Sequence, residues 1–175
     1  DLGTGRERAL MTAGGGAISY GIAEFVAQEE MGRTTGQWWA PDDARIAIAR
    51  VDESDVKVAV RAAIGSDGTK VSEQRYPFAG TPNAKVSLEV HSLAGGAPVE
   101  VDLGPDRDIY LARVDWLNPS QLIVQRQTRD QTRLDLLLVE AATGASRILF
   151  SETSASWVNL HDSLKPLADG KRFLW

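Results

Sequence analysis

Five short runs of the sequence alternate between apolar and polar residues. They read "RIAIARV", "DVKVAVRAAI", "KVSLEVHSL", "QLIVQRQ" and "LDLLLVEA". A period of two residues is typical of β-strands that bury one face. Turns rich in glycine, proline and asparagine separate the runs. The sequence therefore predicts an all-β chain.

One helical interruption is predicted, over residues 18–31. Four apolar residues recur at helical spacing within it: Ile18, Ile22, Phe25 and Val26. The next two positions on that face are Glu29 and Glu30, and glycines end the pattern soon afterwards. The pattern thus places two adjacent carboxylates in the last turn of a helix.

Two short patterns recur along the chain. One is a tryptophan followed by a proline-containing turn and a strand, as in "WWAPDDARIAIARV" and "WLNPSQLIVQRQ". The other is a glycine turn between a strand and a short apolar ending. A repeat of about 40 to 50 residues built from four short strands is typical of β-propeller blades. We predict a partial propeller with one short helix that carries the two glutamates; the alternative is a β-sandwich.

The predicted fragment contains about two full blades and parts of two others. Its single domain, residues 1–175, is divided as follows: residues 1–12 end a blade, 13–36 form a helical segment, 37–104 form a blade with an arm inserted at 53–82, 105–152 form another blade, and 153–175 begin the next.

Composition limits the function classes. The 175 residues are 43% hydrophobic and carry a net charge of −5, which is typical of a globular chain and argues against a nucleic-acid partner. There is no cysteine, so disulfides and thiol chemistry are excluded. No apolar run is long enough to span a membrane, and no signal peptide is visible. Both ends read as cut, so the location of the protein is left open.

Residues for catalysis or for metal and cofactor binding are not apparent. The only histidines, His91 and His161, have no marked nucleophile and no ligand spacing beside them, so we expect no catalytic residue, metal or cofactor in this chain. His91 is expected to be a half-exposed strand residue. The four tryptophans that precede strands are interpreted as packing between blades: Trp38, Trp39, Trp116 and Trp157.

Glu29 and Glu30 are the strongest candidates for a binding site. Adjacent carboxylates repel one another, and the negative end of a helix dipole adds to this, so a cation is needed to compensate them. An ammonium group fits, because it brings one positive charge and three hydrogen-bond donors. A solvated helix surface is the alternative.

A longer stretch resembles a known family. "GIAEFVAQEEMGRTTGQWWAPDDARIAIARVDESDV" is similar to the propeller region of dipeptidyl peptidase IV and its bacterial relatives in the prolyl oligopeptidase family of serine peptidases. The similarity continues through "YPFAGTPNAKVSLEV" and "SWVNLHDSLKPLADGKRFLW", so it covers nearly the whole chain. The Glu-Glu pair joined to Trp-Trp-x-Pro-Asp is quite specific within that family.

The resemblance implies a role for the glutamate pair. In this family the two carboxylates hold the free α-amino group of a peptide substrate, so that only two residues fit before the cleaved bond. Carried over, Glu29 and Glu30 would bind that amine in a peptidase that removes N-terminal dipeptides. Arg33, Asn159, Leu160 and His161 stand where pocket-lining residues are found.

The resemblance also implies partners. The catalytic triad would belong to a C-terminal hydrolase domain absent from this chain, so whether these residues are part of an active enzyme is left open. The arm at 53–82 would contact a second subunit in a homodimer. A periplasmic or secreted location would fit the family. The alternative function is a non-catalytic propeller that binds a protein or ligand.

Overall fold

The computed structural model describes residues 3–175 as an almost wholly β protein with one short helix. Residues 1 and 2, predicted above to end a blade, lie outside the described residues. The elements in chain order are β1 (Ile18–Ile22), α1 (Phe25–Glu29), β2 (Thr35–Trp39), β3 (Arg45–Asp52), β4 (Val58–Gly65), β5 (Gly68–Arg75), β6 (Lys85–Ser92), β7 (Val99–Glu100), β8 (Ile109–Asn118), β9 (Gln121–Thr128), β10 (Arg133–Glu140), β11 (Ser146–Thr153), β12 (Lys165–Pro166) and β13 (Phe173–Leu174).

Two antiparallel sheets account for most of the strands. The first sheet has the order β1-β2-β3-β6-β7, and the second has the order β11-β10-β9-β8. The strands β4 and β5 form a separate hairpin, and β12 pairs with β13. Residues 3–12 contain no strand, so the blade ending predicted for residues 1–12 stays a prediction.

The central strands are buried on both faces. Four consecutive residues of β3, Ile46 to Ala49, are buried, and so are the six residues of β10 from Leu134 to Val139. One face of each sheet contributes to a shared core that includes Leu88, Leu111 and Val124. The other face of the second sheet packs on the segment that contains β12 and β13. The sheets are therefore stacked layers joined by apolar contact.

Two of the four tryptophans pack where the sheets meet. Trp38 and Trp116 lie against the shared core, and the indole Nε1 of Trp116 donates a hydrogen bond to the main-chain oxygen of Trp38 at 3.0 Å. This confirms the prediction of inter-sheet packing for these two. Trp39 and Trp157 are 53% and 61% exposed and do not pack between the two described sheets, so the prediction for them stays a prediction.

The predicted helix over residues 18–31 is wrong in its first part. Residues 18–22 form β1, and only Phe25–Glu29 is helical. Ile18 and Ile22 are four residues apart, a spacing that fits a strand as well as a helix. The strand forms because residues 19 and 20 pair with Val51 and Arg50 of β3. The first sheet thus begins at residue 18, before the predicted blade start at 37.

β1 and β2 are two halves of one interrupted strand. Both run antiparallel to β3, with Tyr20 opposite Arg50 and Gln37 opposite Ile48. Between them the chain leaves the sheet at Ile22 and returns at Thr35, and these two residues pair with one another. We call residues 23–34 the excursion. It carries α1 and both candidate glutamates.

The buried stripe of the excursion differs from the predicted one. Ala23, Ala27 and Met31, at spacings of four, pack on Tyr110 and Ala112 of β8. The two alanines are small enough to let the excursion lie close to β8. Glu29 and Glu30 are therefore not on the apolar face, as the sequence had suggested, but on exposed positions.

The arm contains the predicted hairpin. Strands β4 and β5 pair along their full length, from Val58 opposite Arg75 to Gly65 opposite Gly68, which confirms that part of the prediction. At its base the ring of Tyr76 contacts the ring of Phe25, the first residue of α1, with 4.9 Å between centroids. The arm is thus attached next to the excursion.

His91 is buried, with 7% of its surface exposed, so the expectation of a half-exposed strand residue is wrong. Its Nε2 lies 2.9 Å from a carboxylate oxygen of Glu89, two residues away on β6.

Within residues 3–175, no helix combines the length and the hydropathy needed to cross a lipid bilayer.

Gly36 lies where the excursion rejoins the sheet, and a larger residue there should displace it. A Cβ atom on Gly36 would be 2.3 Å from the main-chain oxygen of Ile22. We expect Gly36→Ala to lower the free energy of unfolding by about 1–3 kcal/mol, measured by denaturant titration. Gly65→Ala is the matched control, because its nearest neighbour would be 3.9 Å away. Equal effects of both changes would contradict this view of the junction.

Asp135 is the buried centre of a charged network on the second sheet. Its carboxylate, 1% exposed, accepts hydrogen bonds from Arg126, Arg133 and Ser151. Burial acts to raise the pKa of Asp135, but these hydrogen bonds and charges outweigh it and hold the pKa below its ordinary value. Its stabilising contribution is thus complete above the ordinary aspartate pKa and is lost as pH falls through the lower folded value.

We expect Asp135→Asn to cost about 3 kcal/mol of unfolding free energy at neutral pH. The difference from the unsubstituted protein should shrink below about pH 4, as the carboxylate becomes protonated in the unfolded chain. Denaturant titration across pH measures it. Asp55→Asn, at an exposed pair with Lys85, should cost under about 1 kcal/mol. A pH-independent difference at Asp135 would be inconsistent with this assignment.

Candidate functional site

A buried ion pair closes the base of the excursion. The Arg33 Nη2 atom lies 2.7 Å from Glu24 Oε2, and the two side chains are 4% and 5% exposed. The other carboxylate oxygen, Glu24 Oε1, is buried and has no hydrogen-bond partner within the part of the chain that is described. Burial lowers the pKa of Arg33, while the Glu24 carboxylate opposes that shift.

Arg33 also ties the excursion to its surroundings. Its Nη1 donates to the main-chain oxygen of Thr35 at 2.7 Å, and its Nε donates to that of Leu111 on β8 at 3.1 Å. The guanidinium also lies 5.8 Å from the ring centre of Trp38. The family resemblance predicts that Arg33 lines a pocket. In the structure its side chain is buried, and its guanidinium nitrogens donate hydrogen bonds to other residues of the chain.

Glu29 and Glu30 are exposed at the end of α1. Glu30 is the residue that terminates the helix, and there is no basic residue in its last turn. Neither carboxylate has a hydrogen bond or ion pair with another residue among 3–175. Because Arg33 is engaged by Glu24, the nearest arginine in sequence does not compensate the pair. Two negative charges therefore face outward without an internal cation.

Glu30 lines a polar cavity of about 330 Å³, which we call the Glu30 cavity. Asn159 and Leu160 also line it, so the structure brings these two predicted residues together with Glu30. His161 does not line it: the ring of His161 packs against Trp175, and its Nδ1 accepts a hydrogen bond from the amide of Ser163.

Glu29 lines a different cavity, of about 410 Å³, together with Glu24 and Glu53. Burial raises the pKa of Glu53, with a further contribution from the charge of Glu24, whereas Arg75 acts in the opposite direction. The two candidate glutamates thus lie on either side of the helix end. They do not share one cavity in this arrangement.

Sequence reasoning missed four residues of the Glu30 cavity: Met31, Arg113, Gln127 and Gln131. Trp157 and Val158, in the loop that carries Asn159 and Leu160, line it as well. The indole Nε1 of Trp157 donates to Asn159 Oδ1 at 2.9 Å, which orients that amide. Arg113 lies on β8, where "LARVDW" alternates like any half-exposed strand. Nothing in that local pattern distinguishes an arginine that contacts the excursion, since its partners are distant in sequence.

Arg113 is surrounded by acids. Its Nε lies 2.5 Å from Asp162 Oδ1, and Asp115 lies two residues along the same strand. Burial raises the pKa of Asp115, with the charge of Asp162 adding to the increase and that of Arg113 opposing it. The positive charge beside the cavity is thus already shared between two carboxylates.

Other sites are not evident among the residues described. Within residues 3–175, no three His, Cys, Asp or Glu side chains are grouped so that they could hold a metal ion. A larger cavity of about 860 Å³ lies between the base of the arm and the loop that precedes β8, and it contains none of the predicted site residues.

A family-model match along the whole chain identifies the family to which it belongs. A family model described as the dipeptidyl peptidase IV (DPP IV) N-terminal region matches residues 1–175. The chain belongs to this family. The resemblance found in the Glu-Glu and Trp-Trp motifs is thereby confirmed.

The relatives of the chain include one named as inactive and others named as dipeptidyl peptidases. The chain is 29% identical over 165 residues to the inactive dipeptidyl peptidase 10 of Mus musculus, a match of 90% of this chain and 21% of that protein. It is 27% identical over 156 residues to the venom dipeptidyl peptidase 4 of Apis mellifera, covering 82% of this chain and 20% of that protein. The chain therefore spans about a fifth of the length of these relatives.

A solved structure confirms the fold. The crystal structure of Porphyromonas gingivalis dipeptidyl peptidase 4 superposes with a TM-score of 0.79 at 26% identity, covering 87% of this chain and 22% of that one. The stacked sheets are thus part of a β-propeller, as predicted from the repeated strand and turn patterns.

Proposed function

We propose that this chain is the substrate-positioning part of a DPP IV-like serine exopeptidase that removes N-terminal dipeptides. In this proposal Glu29 and Glu30 bind the α-amino group of the peptide. The observation that carries it is the pair of exposed adjacent carboxylates with no internal cation. Family membership supplies the kind of substrate.

An N-terminal ammonium matches the chemistry of this pair. It offers three donors and one positive charge, and charge-assisted hydrogen bonds to carboxylates are roughly twice as strong as neutral ones. Glu30 already lines a cavity with Asn159 and Leu160, which would receive the first residue of the peptide. Glu29 lines the neighbouring cavity, and the proposal requires its exposed side chain to turn toward the same ammonium when the peptide binds.

Anchoring the amine sets the register of cleavage. With the N-terminus held at the helix end, a fixed distance to a nucleophile selects the bond after the second residue. Orientation of this kind lowers the barrier because the reacting groups are positioned in advance. The proposal assigns no catalytic group to residues 1–175; the catalytic triad would come from a hydrolase domain of the same polypeptide.

The hairpin of β4 and β5 is proposed to contact a second subunit. Val60, Ile64 and Val71 are apolar, and each is at least 61% exposed. Val71 lies opposite Ala62, so these residues share one face of the two-stranded ribbon. An exposed apolar face of this kind is typical of a protein interface.

A second candidate function is a non-catalytic propeller that binds a protein or ligand. The similarity to a relative named as inactive dipeptidyl peptidase 10 favours it. A propeller of this family is thus compatible with the loss of peptidase activity. Hydrolysis by the full-length polypeptide distinguishes the two.

The deciding experiment compares Gly-Pro amide with a free and with an acetylated N-terminus as substrates of the full-length polypeptide. We expect cleavage of the free amine only, because acetylation removes the charge that the carboxylates bind. Changing both Glu29→Gln and Glu30→Gln should lower kcat/KM by roughly a thousandfold, about 4 kcal/mol. Glu100→Gln, on the opposite edge of the first sheet, is the matched control and should leave kcat/KM unchanged.

Equal cleavage of the free and acetylated substrates would refute the amine-binding role. Full activity of the double variant would refute it as well. Cleavage of neither substrate would favour the non-catalytic propeller.

The dimer proposal has its own test. Replacing the most exposed apolar residue of the arm, Ile64→Asp, should convert the full-length protein from dimer to monomer, as measured by light scattering during size-exclusion chromatography. Ser72→Asp is the control and should leave the dimer intact, because Ser72 lies opposite Arg61 on the other face of the ribbon. A dimer that withstands Ile64→Asp would show that the arm is not the interface.

A further inference from the structure

Arg113 joins the two walls of the Glu30 cavity. One wall is the end of the excursion, and the other is the loop of residues 157–162. The Arg113 side chain is 16% exposed, and its guanidinium makes hydrogen bonds to both. Among the described residues, no other side chain makes hydrogen bonds to both segments.

The contact with the excursion falls next to the candidate site. Arg113 Nη2 donates to the main-chain oxygen of Met31 at 2.8 Å, one residue after Glu30. α1 is only five residues long, so its own hydrogen bonds hold its end weakly. An external donor at this carbonyl therefore restrains the main chain that carries Glu30.

The contact with the loop is made by another nitrogen of the same Arg113 guanidinium. Arg113 Nε donates to Asp162 Oδ1 at 2.5 Å, two residues beyond Leu160. The Asp162 side chain is 81% exposed, so the arginine is the partner that draws it toward the protein. The planar guanidinium holds its donors at fixed angles, which a lysine cannot reproduce.

A β-bulge in β8 sets the direction of the Arg113 side chain. Leu111 lies opposite Arg126 and Arg113 lies opposite Gln125, so Ala112 is the extra residue between them. Arg113 Nη1 donates to the main-chain oxygen of Ala112 at 2.8 Å. Bulges commonly redirect a side chain in this way.

We propose that Arg113 is a positioning residue that sets the distance between Glu30 and the wall formed by Asn159 and Leu160. This inference rests on the proposed amine-binding function and adds to it. Arg113 does not contact the substrate amine, since its charge is directed at Asp162 and at main-chain oxygens. It acts through the two segments that it joins.

The test uses Arg113→Lys in the full-length polypeptide. Lysine keeps the charge but can reach only one of the two segments at a time. We expect kcat/KM for the free-amine Gly-Pro amide to fall about tenfold, mainly through KM. Labelling of the nucleophilic serine by a small fluorophosphonate, which has no amine to anchor, should be unchanged. A purely structural role would slow both reactions together.

Amide hydrogen exchange supplies a readout that does not depend on activity. In Arg113→Lys, exchange should accelerate at residues 28–34 and at residues 157–162 together. Asp162→Asn, which alters an exposed side chain and does not threaten folding, should accelerate exchange in the loop and leave the excursion protected. Unchanged amide exchange in either segment of Arg113→Lys would overturn the proposal, regardless of the effect on kcat/KM.

Arg129→Lys is the matched control. Arg129 also donates to a carboxylate, that of Asp108, and to a main-chain oxygen, that of Thr81, but it lines the larger cavity away from Glu30. It should leave both kinetics and exchange near the Glu30 cavity unchanged. If unsubstituted protein cleaves free and acetylated substrates equally, the amine-binding function fails, and exchange still decides whether Arg113 joins the walls. If it prefers the free amine and Arg113→Lys keeps that preference with unchanged KM, only the Arg113 proposal fails.

Discussion

The salt bridge between Arg33 and Glu24 fixes the geometry of the whole excursion. Both side chains are almost completely buried, so removing either would leave a charge without compensation in the interior. Arg33 also bonds to β8, so the pair connects the first sheet to the second. The direction in which the helix end points is therefore set by how the two sheets pack. A change in sheet packing would move the candidate glutamates with it.

The strands and the hairpin could be predicted because their patterns are local. The extent of the helix could not, because Ile18 and Ile22 fit either periodicity and the choice depends on pairing with β3, which lies further along the chain. The same reason explains why Arg33 was assigned to a pocket and Arg113 was overlooked. Their roles come from Glu24, Met31 and Asp162, and no short window of sequence contains both an arginine and its partners. Glu30 was predicted from the helical pattern, and Asn159 and Leu160 from the family resemblance; the structure places all three at one cavity, and their role stays a prediction.

Family membership and chemical activity are separate matters for this propeller. The chain is about equally similar to a relative named as inactive and to a venom dipeptidyl peptidase. Both contain the same region, so the fold by itself does not imply cleavage. The contribution proposed for this region is the placement of charge beside a cavity. That contribution depends on a few side chains on one excursion, and these can change while the sheets stay the same.

The interrupted inner strand has a consequence for how such a chain can vary. Tyr20 and Gln37 lie opposite Arg50 and Ile48, so a single residue opposite Ala49 would join them into a continuous strand. The sheet pairing does not require residues 21–36 at all. The excursion is an insertion whose ends meet the sheet in register. The strand order of the blade therefore does not depend on the length of this insertion. Its contents are constrained, because Ala23, Ala27 and Met31 pack on β8 and Arg33 bonds to it.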